Sequence, residues 1–392
     1  MDLMTTSALV DRCFPKMVEI RRTLHAAPEL AFEEHVTTAL IRDRMRTLGA
    51  AELSCSTRTG AVFAMDGGIP GRTVLLRADI DALPIHEAVE VPFRSRIDGV
   101  MHACGHDAHV AILLGVAEVI AARADTLPGR YVFLFQPAEE HLAGARAMID
   151  AGVLEMIRAD RLIGCHVASI VPAGVVLLRP GIAMAEGQGL RFELRGPGGH
   201  GALASASGDV VAAVGELLRV LPAVVDGLEH EGARCACSAG VIRAGTALNV
   251  LPSTAVVEGT LRTFTESQRR TALERLRDLC RRIAEQMGVA IELVLTMHAP
   301  AVVNEPEVSD LVRAAATHAL GAERVIAGPP LSPSDDVSEL LCRVPGCFFF
   351  VGAARRDGSS GMHHSPTFAI EEDALRTGAG VMADGAVALA SI

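Results

Sequence analysis

The chain reads as an α/β protein in which a mostly parallel sheet is interrupted by a smaller α+β domain. Three observations predict this. Over the first 182 residues, short, wholly apolar strand runs alternate with helical runs, as in a parallel sheet covered on both faces. Past residue 183 the strand runs alternate apolar with polar residues, the pattern of half-exposed strands. After residue 294 an apolar strand and helical runs return. The expected organisation is one domain formed by 1–182 and 295–392, with 183–294 inserted into it. A chain of 392 residues is long enough to build both cores.

Residues 8–24 have helical spacing, disturbed near Pro15, and Pro28-Glu29 ends that run. A second helix is expected over 33–47, up to Gly49. Thr73-Val-Leu-Leu-Arg77 is a β-branched apolar run bounded by Gly71, hence a buried strand. Its carboxyl end delivers Asp79 and Asp81. Residues 108–122 form an apolar helix, and Tyr131-Val-Phe-Leu-Phe135 is a second buried strand leading into Gln136-Pro-Ala-Glu-Glu140. A helix over 143–151 stops at Gly152, and Arg161-Leu-Ile-Gly-Cys165 is a third strand, expected to end at His166. Ligands of parallel sheets gather beyond the carboxyl ends of the strands. Asp79, Asp81, Glu139, Glu140 and His166 are therefore expected in one place.

The inserted stretch has strand alternation at 189–195, 234–241 and 255–263, and an amphipathic helix over 209–221. Thr265-Glu-Ser-Gln268 has the form of a capping box. It opens a helix with Ala272, Leu276, Leu279, Ile283 and Met287 on one face, stopped by Gly288, before a last strand at 291–295. Strand-helix-strand-strand-helix-strand is the ferredoxin-like order. Helices at 309–320 and 371–389 and a strand at 347–351 then complete the first domain.

Composition excludes several functions. Lys and Arg number 36 against 47 Asp and Glu, for a net charge of −11, a poor match to a phosphate backbone. Trp is absent and Tyr occurs once, so there is no stacking platform for single-stranded nucleic acid. Met1-Asp2-Leu3-Met4 does not open a signal peptide. No apolar run approaches the ~18 residues of a membrane span, so a cytoplasmic protein is expected. The nine cysteines are odd in number and scattered, as reduced thiols are. Cys235 and Cys237 read as packing residues on a strand.

Chemistry concentrates in Met101-His-Ala-Cys-Gly-His-Asp-Ala-His109. Cys104 and His106, two apart in a Gly-containing turn before a helix, can converge on one ion. Glu140, His166 and His363-His364-Ser365-Pro366 offer further donors. Mixed thiolate, imidazole and carboxylate donors suit Zn, Mn, Co or Ni better than Mg or Ca. Glu139 and Glu140 follow a buried strand and a Pro, and adjacent side chains point differently. One can ligate a metal while the other moves a proton. Gly196-Pro-Gly-Gly-His-Gly201 lacks the Lys-Ser/Thr of a phosphate loop. It is either a flexible turn or a loop presenting His200 to a developing oxyanion. Asn249 is either a capping residue or a contact to a substrate amide.

These motifs resemble one family: the metal-dependent amidohydrolases that include hippurate hydrolase, indole-3-acetyl-amino-acid hydrolases and N-acyl-amino-acid deacylases, related to aminoacylase and the zinc carboxypeptidases. The resemblance runs through Arg21 to Leu30, Arg77-Ala-Asp-Ile-Asp-Ala-Leu-Pro-Ile85, Met101 to His109, Phe135 to Glu140, Gly164-Cys-His166, Gly199-His-Gly-Ala202, Leu248-Asn-Val-Leu-Pro252, Glu258 to Phe264, Ser334-Asp-Asp336 and His363 to Phe368. It implies a zinc-peptidase-type catalytic domain and an inserted lid and dimerisation domain. It implies Cys104, His106, Glu140, His166 and His364 as ligands of divalent metal, two ions per subunit, Zn, Mn, Co or Ni. Glu139 becomes the general base and acid, and Asp81 a supporting residue. His200 and Asn249 would meet substrate, with His200 able to reach a partner subunit's site in a homodimer. The implied reaction is hydrolysis of an N-acyl-amino acid to a carboxylate and a free amino acid, with a dipeptidase or carboxypeptidase as the alternative. Within the motif, His102 and His109 read as supporting or packing residues, and Asp107 as a helix cap or ligand-orienting group. Three stretches depart from the family: Leu203-Ala-Ser-Ala-Ser207 lacks a Pro, Val225-Asp-Gly-Leu228 lacks an Arg, and Asp335-Asp336-Val337 replaces Glu-Asp-Phe. All three are expected to touch substrate recognition or dimer contacts.

Overall fold

The computed structural model describes residues 4–203 and 208–391. Most of the Pro-less stretch, residues 204–207, lies outside the described residues. The chain forms two compact units: Met1–Ala183, Val303–Gly328 and Asp336–Ile392 make the first, and Met184–Val302 with Pro329–Asp335 the second. The second unit ends later than residue 294. Its last strand, Ala290–Ala299, outruns the apolar run at 291–295 because pairing with Glu186–Arg195 resumes beyond a bulge between Leu295 and His298.

In the first unit the strands of the large sheet are β1 (Ala51–Leu53), β2 (Ala61–Asp66), β3 (Ile69–Asp79), β4 (Pro128–Gln136), β5 (Arg161–Pro172), β6 (Val176–Leu177), β7 (Val325–Ile326) and β8 (Gly346–Ala354). They form one sheet in the order β1-β2-β4-β3-β5-β8-β6-β7. Its centre is parallel: β4 with β3, β3 with β5, and β5 with β8. β2 joins β4 antiparallel, and β1 and β2 were not expected from the sequence. The register sets the end of β3 level with that of β4, with Asp79 opposite Gln136. β5 does not stop at His166. It stays paired with β8, His166 opposite Phe350, and runs on to Pro172, so His166 is presented from inside a strand.

The long helices of this unit are α1 (Thr6–His25), α2 (His35–Thr47), α3 (His106–Ala121), α4 (Pro306–Leu320) and α5 (Ala374–Ala390). α1 begins where the Thr5 side chain accepts the N–H of Ala8, and it continues through Pro15. It buries Cys13, Met17, Ile20 and Leu24 along one stripe. α3 is buried except at Glu118 and Ala121, which is why its sequence is apolar all round. α1 approaches α3 so closely that a Cβ at Gly115 would lie 2.6 Å from Met17 Sδ. α1, α3, α4 and α5 share one core with the sheet.

The second unit is a four-stranded antiparallel sheet in the order Ala236–Ala244, Thr254–Thr263, Glu186–Arg195, Ala290–Ala299, with helices Val210–Val220 and Glu266–Met287. This is the ferredoxin-like order. The capping box is complete: Thr265 accepts from the Gln268 N–H, and the Gln268 side chain accepts from the Thr265 N–H. No helix among the described residues is long and apolar enough to cross a membrane.

Candidate active site

The site is built in the first unit, around the amino end of α3. Gly105 precedes that helix with φ +90°, and a Cβ on it would lie 2.4 Å from Val167 Cγ2. Only glycine fits both conditions. The turn it makes brings the donor atoms of Cys104 and His106 within 4.8 Å of each other. Asp107 is not the helix cap. Its carboxylate accepts from Arg21 Nε (3.0 Å) and lies 2.8 Å from His25 Nδ1. Glu139 and Glu140 sit on a short turn after β4, opened by Ala138 at φ +53°. Asp81 holds that turn: one oxygen accepts the N–H of Glu139 (3.0 Å) and the other that of Glu140 (3.1 Å).

The expected metal ligands meet in two overlapping sets. Cys104, His106 and His166 place their donor atoms within 4.8 Å of one another, and so do Cys104, Glu140 and His364. His166 Nδ1 donates to the Val167 carbonyl (2.7 Å), which leaves Nε2 free to face Cys104 Sγ, 3.5 Å away. His364 takes a left-handed backbone, φ +62°, and brings Nε2 to 3.4 Å from Glu140 Oε2. Strain of this kind concentrates at functional positions. Its neighbour His363 is engaged differently: Nε2 accepts the Ser169 N–H (3.2 Å) and Nδ1 lies 3.7 Å from Cys104 Sγ.

His106 is the focus of the site's charge. Carboxylate oxygens of Asp81, Asp79, Glu140 and Glu139 lie 3.4, 3.7, 3.8 and 3.9 Å from its ring nitrogens. Burial alone would push its pKa down. The surrounding anions, Asp79 first, outweigh burial and push it up to about 10. His166 goes the other way, held well below the usual imidazole range by burial and by His109 and His363. Both ring nitrogens of His106 and Oε1 of Glu140 are buried without a hydrogen-bond partner. Such groups cost roughly 1–3 kcal/mol each when left unmet. An excess of carboxylates, unmet buried polar atoms and a mixed S, N, O set fit a divalent transition metal.

Beneath these residues lies a framework that the sequence reading did not see. Arg77 is fully buried on β3; it donates to Gln136 (2.9 Å), Asp79 (2.8 Å) and Asp336 (3.2 Å). Asp336 also accepts from Gln136 Nε2 (2.6 Å) and the Ala145 N–H (2.9 Å). Asp336, the residue of Asp335-Asp336-Val337 that keeps the family's Asp, thus belongs to the framework under the site. An Arg amid the apolar run of β3 was the visible signal. His109 supports the same framework: Nδ1 is 2.5 Å from Asp79, and Nε2 accepts the Val167 N–H (2.9 Å).

His200 and Asn249 lie in the second unit. A two-stranded ribbon pairs Val250 with His200 and Leu251 with Gly199, and the Asn249 carbonyl accepts the Gly201 N–H (2.9 Å). The two residues are thereby brought side by side, both exposed.

Residues 75–387 match the model of peptidase family M20/M25/M40. N-acetylcysteine deacetylase of Bacillus subtilis is 34% identical, covering 97% of this chain and 98% of its own. Thermostable carboxypeptidase 2 of Saccharolobus solfataricus is 34% identical over 93% and 92%. The solved structure of Bacillus subtilis YxeP protein, titled a dinuclear metal-binding peptidase from the M20 family, is 30% identical, covers 96% of this chain and 98% of its own, and superposes with a TM-score of 0.80. The chain belongs to peptidase family M20/M25/M40 and is a metal-dependent amidohydrolase.

Proposed function

We propose that this enzyme hydrolyses the amide bond of N-acyl-amino acids, hippurate-like conjugates among them, with Glu139 as general base and acid. The observation that carries this is the Asp81-held turn. It sets Glu139 beside Glu140 and within 3.9 Å of His106, so that a proton-moving carboxylate and a ligating one adjoin the Cys104–His166–His364 cluster. Cys104, His106, Glu140, His166 and His364 would hold two divalent ions, Zn, Mn, Co or Ni. When bound, such ions supply Lewis acidity towards the amide carbonyl and the attacking water. Glu139 takes the proton of that water and returns it to the leaving nitrogen. His200 donates to the developing oxyanion and Asn249 orients the substrate amide.

The deacetylase relative supports an acyl substrate. The carboxypeptidase relative favours a second reading, cleavage of a peptide at the same site. A homodimer formed through the inserted unit, acting as a lid, is part of the proposal. Exposed Ile242, Leu248 and Val250 on that unit support it. A cytoplasmic setting, in which the free cysteines stay reduced, completes it.

The test is hydrolysis of a small panel by purified protein reconstituted with each metal: hippurate, N-acetyl-amino acids and dipeptides. Turnover of the acyl substrates above the dipeptides is expected, and the reverse order would establish the peptidase reading. Glu139→Gln should keep its metal and lose about three decades of kcat. Near-normal turnover of that variant would remove Glu139 from its role.

A further inference from the structure

Away from the metal-ligating cluster, α1 and the loop that follows β3 enclose a groove of about 690 Å³, within the range of small-molecule sites. Val18, Ala27, Pro92, Phe93 and Ile97 give it apolar walls, and the charges on its rim are Glu19, Arg22 and Arg96. Two of the three are neutralised. Glu19 is paired with Lys16 (2.9 Å), and Arg22 makes a two-pronged pair with Glu372 (3.0 and 2.6 Å). The Arg96 guanidinium has no ion-pair or hydrogen-bond partner among the described residues, while its backbone N–H is pinned to the Ala26 carbonyl (3.0 Å).

Phe93 is the fixed feature of this groove. The guanidiniums of Arg21 and Arg22 each lie 4.9 Å from its ring centroid, and His25 meets it edge-on at 5.6 Å. These contacts hold the ring rigidly, and a rigid apolar wall lowers the ordering cost of binding. An apolar slot with a single uncompensated positive charge at its rim selects a ligand with an apolar body and one negative charge. A dianion would leave a charge unmatched, and a neutral amide would leave Arg96 unmatched. We propose that this groove is a second binding site, separate from the catalytic cluster, for small amphipathic monocarboxylates, with Arg96 holding the carboxylate and Phe93 and Ile97 the apolar chain.

Calorimetric titration of the metal-loaded enzyme with octanoate, octanamide and acetate tests this. Octanoate should bind in the groove; octanamide, which lacks the charge, and acetate, which lacks the chain, should each bind about ten-fold more weakly or worse. Arg96→Glu and Ile97→Asp alter exposed side chains, so both variants should fold and keep wild-type kcat/KM. Each should abolish the groove's component of octanoate binding. Octanoate held at the metal-ligating cluster would be indifferent to both variants, so an isotherm unchanged in both overturns the proposal. Octanamide binding as tightly as octanoate overturns the role of Arg96.

Discussion

Both ring nitrogens of His109 are committed to the scaffold, which separates it from His106 and His166 beside it. Nδ1 faces Asp79 and Nε2 accepts a backbone N–H from β5. His109→Phe keeps the ring but leaves Asp79 Oδ1 and the Val167 N–H without that partner. Each buried group so deprived costs about 1–3 kcal/mol. We expect the variant to be destabilised by about 2–4 kcal/mol in denaturant unfolding, with kcat reduced because Asp79 and β5 frame His106 and His166. Stability equal to wild type would show that the histidine only fills space. Ligand-type residues were legible because Cys, His and paired Glu at strand and helix ends are unusual enough to be noticed one by one. The roles of Arg77 and Asp336 and the bond from the Ser169 N–H to His363 were not. Their meaning lies in partners far along the chain, such as Arg77 with Asp336, that no local spacing reveals.

At the scale of elements, α3 is where sequence and site are most tightly joined. Gly105→Ala would force a Cβ against Val167 at a positive φ, a strain of about 1–2 kcal/mol before the clash is counted. Reduced metal content by elemental analysis and a lower Tm are expected together, since the same turn carries Cys104 and His106. Unchanged values would mean that the turn adapts. α1 is tied to α3 by a buried cluster in which His25 bridges Asp107 (2.8 Å) and Glu87 (3.1 Å). Burial alone would lower the His25 pKa, but Asp107 and Glu87 raise it above the ordinary imidazole value. A raised pKa contributes stability that is full below about pH 6.5, the ordinary value, and is lost as pH rises through the folded-state pKa. The Tm advantage of wild type over His25→Gln should therefore shrink from about pH 6 to pH 9. An advantage that grows towards alkaline pH would contradict the bridge. α1 was legible from its helical spacing, and Glu266–Met287 from its capping box and apolar face. β1 and β2 were not expected: β1 has only three residues, while Ala61-Val-Phe-Ala-Met65 is an apolar run of the same kind as 131–135 and became a strand by pairing with β4.

Across the whole molecule, the ligand set links distant parts of one chain. Cys104, His106, Glu140 and His166 precede the inserted unit, and His364 follows it. Two ions held by the overlapping sets that share Cys104 would tie Met1–Ala183 to Asp336–Ile392 within the first unit. The unfolded chain cannot assemble such a site, so metal binding adds directly to folding stability, by about 2.7 kcal/mol at a free-metal concentration 100 times Kd. Bound there, the metal would also offset the repulsion among Asp79, Asp81, Glu139 and Glu140 around His106. Dialysis of the enzyme against a chelator should therefore do two things at once: abolish hydrolysis and lower Tm by several degrees, taking about 2–4 °C per kcal/mol for domains of this size. Re-addition of Zn, Mn, Co or Ni should restore both. The ordering of metals by recovered Tm need not match their ordering by recovered activity, because stability follows how tightly the S, N, O set holds an ion and turnover follows how strongly that ion polarises the amide. Chelation that stops hydrolysis while leaving Tm unchanged would mean that the two chain segments hold together without the ion, and the stapling role would fall while the catalytic one stood.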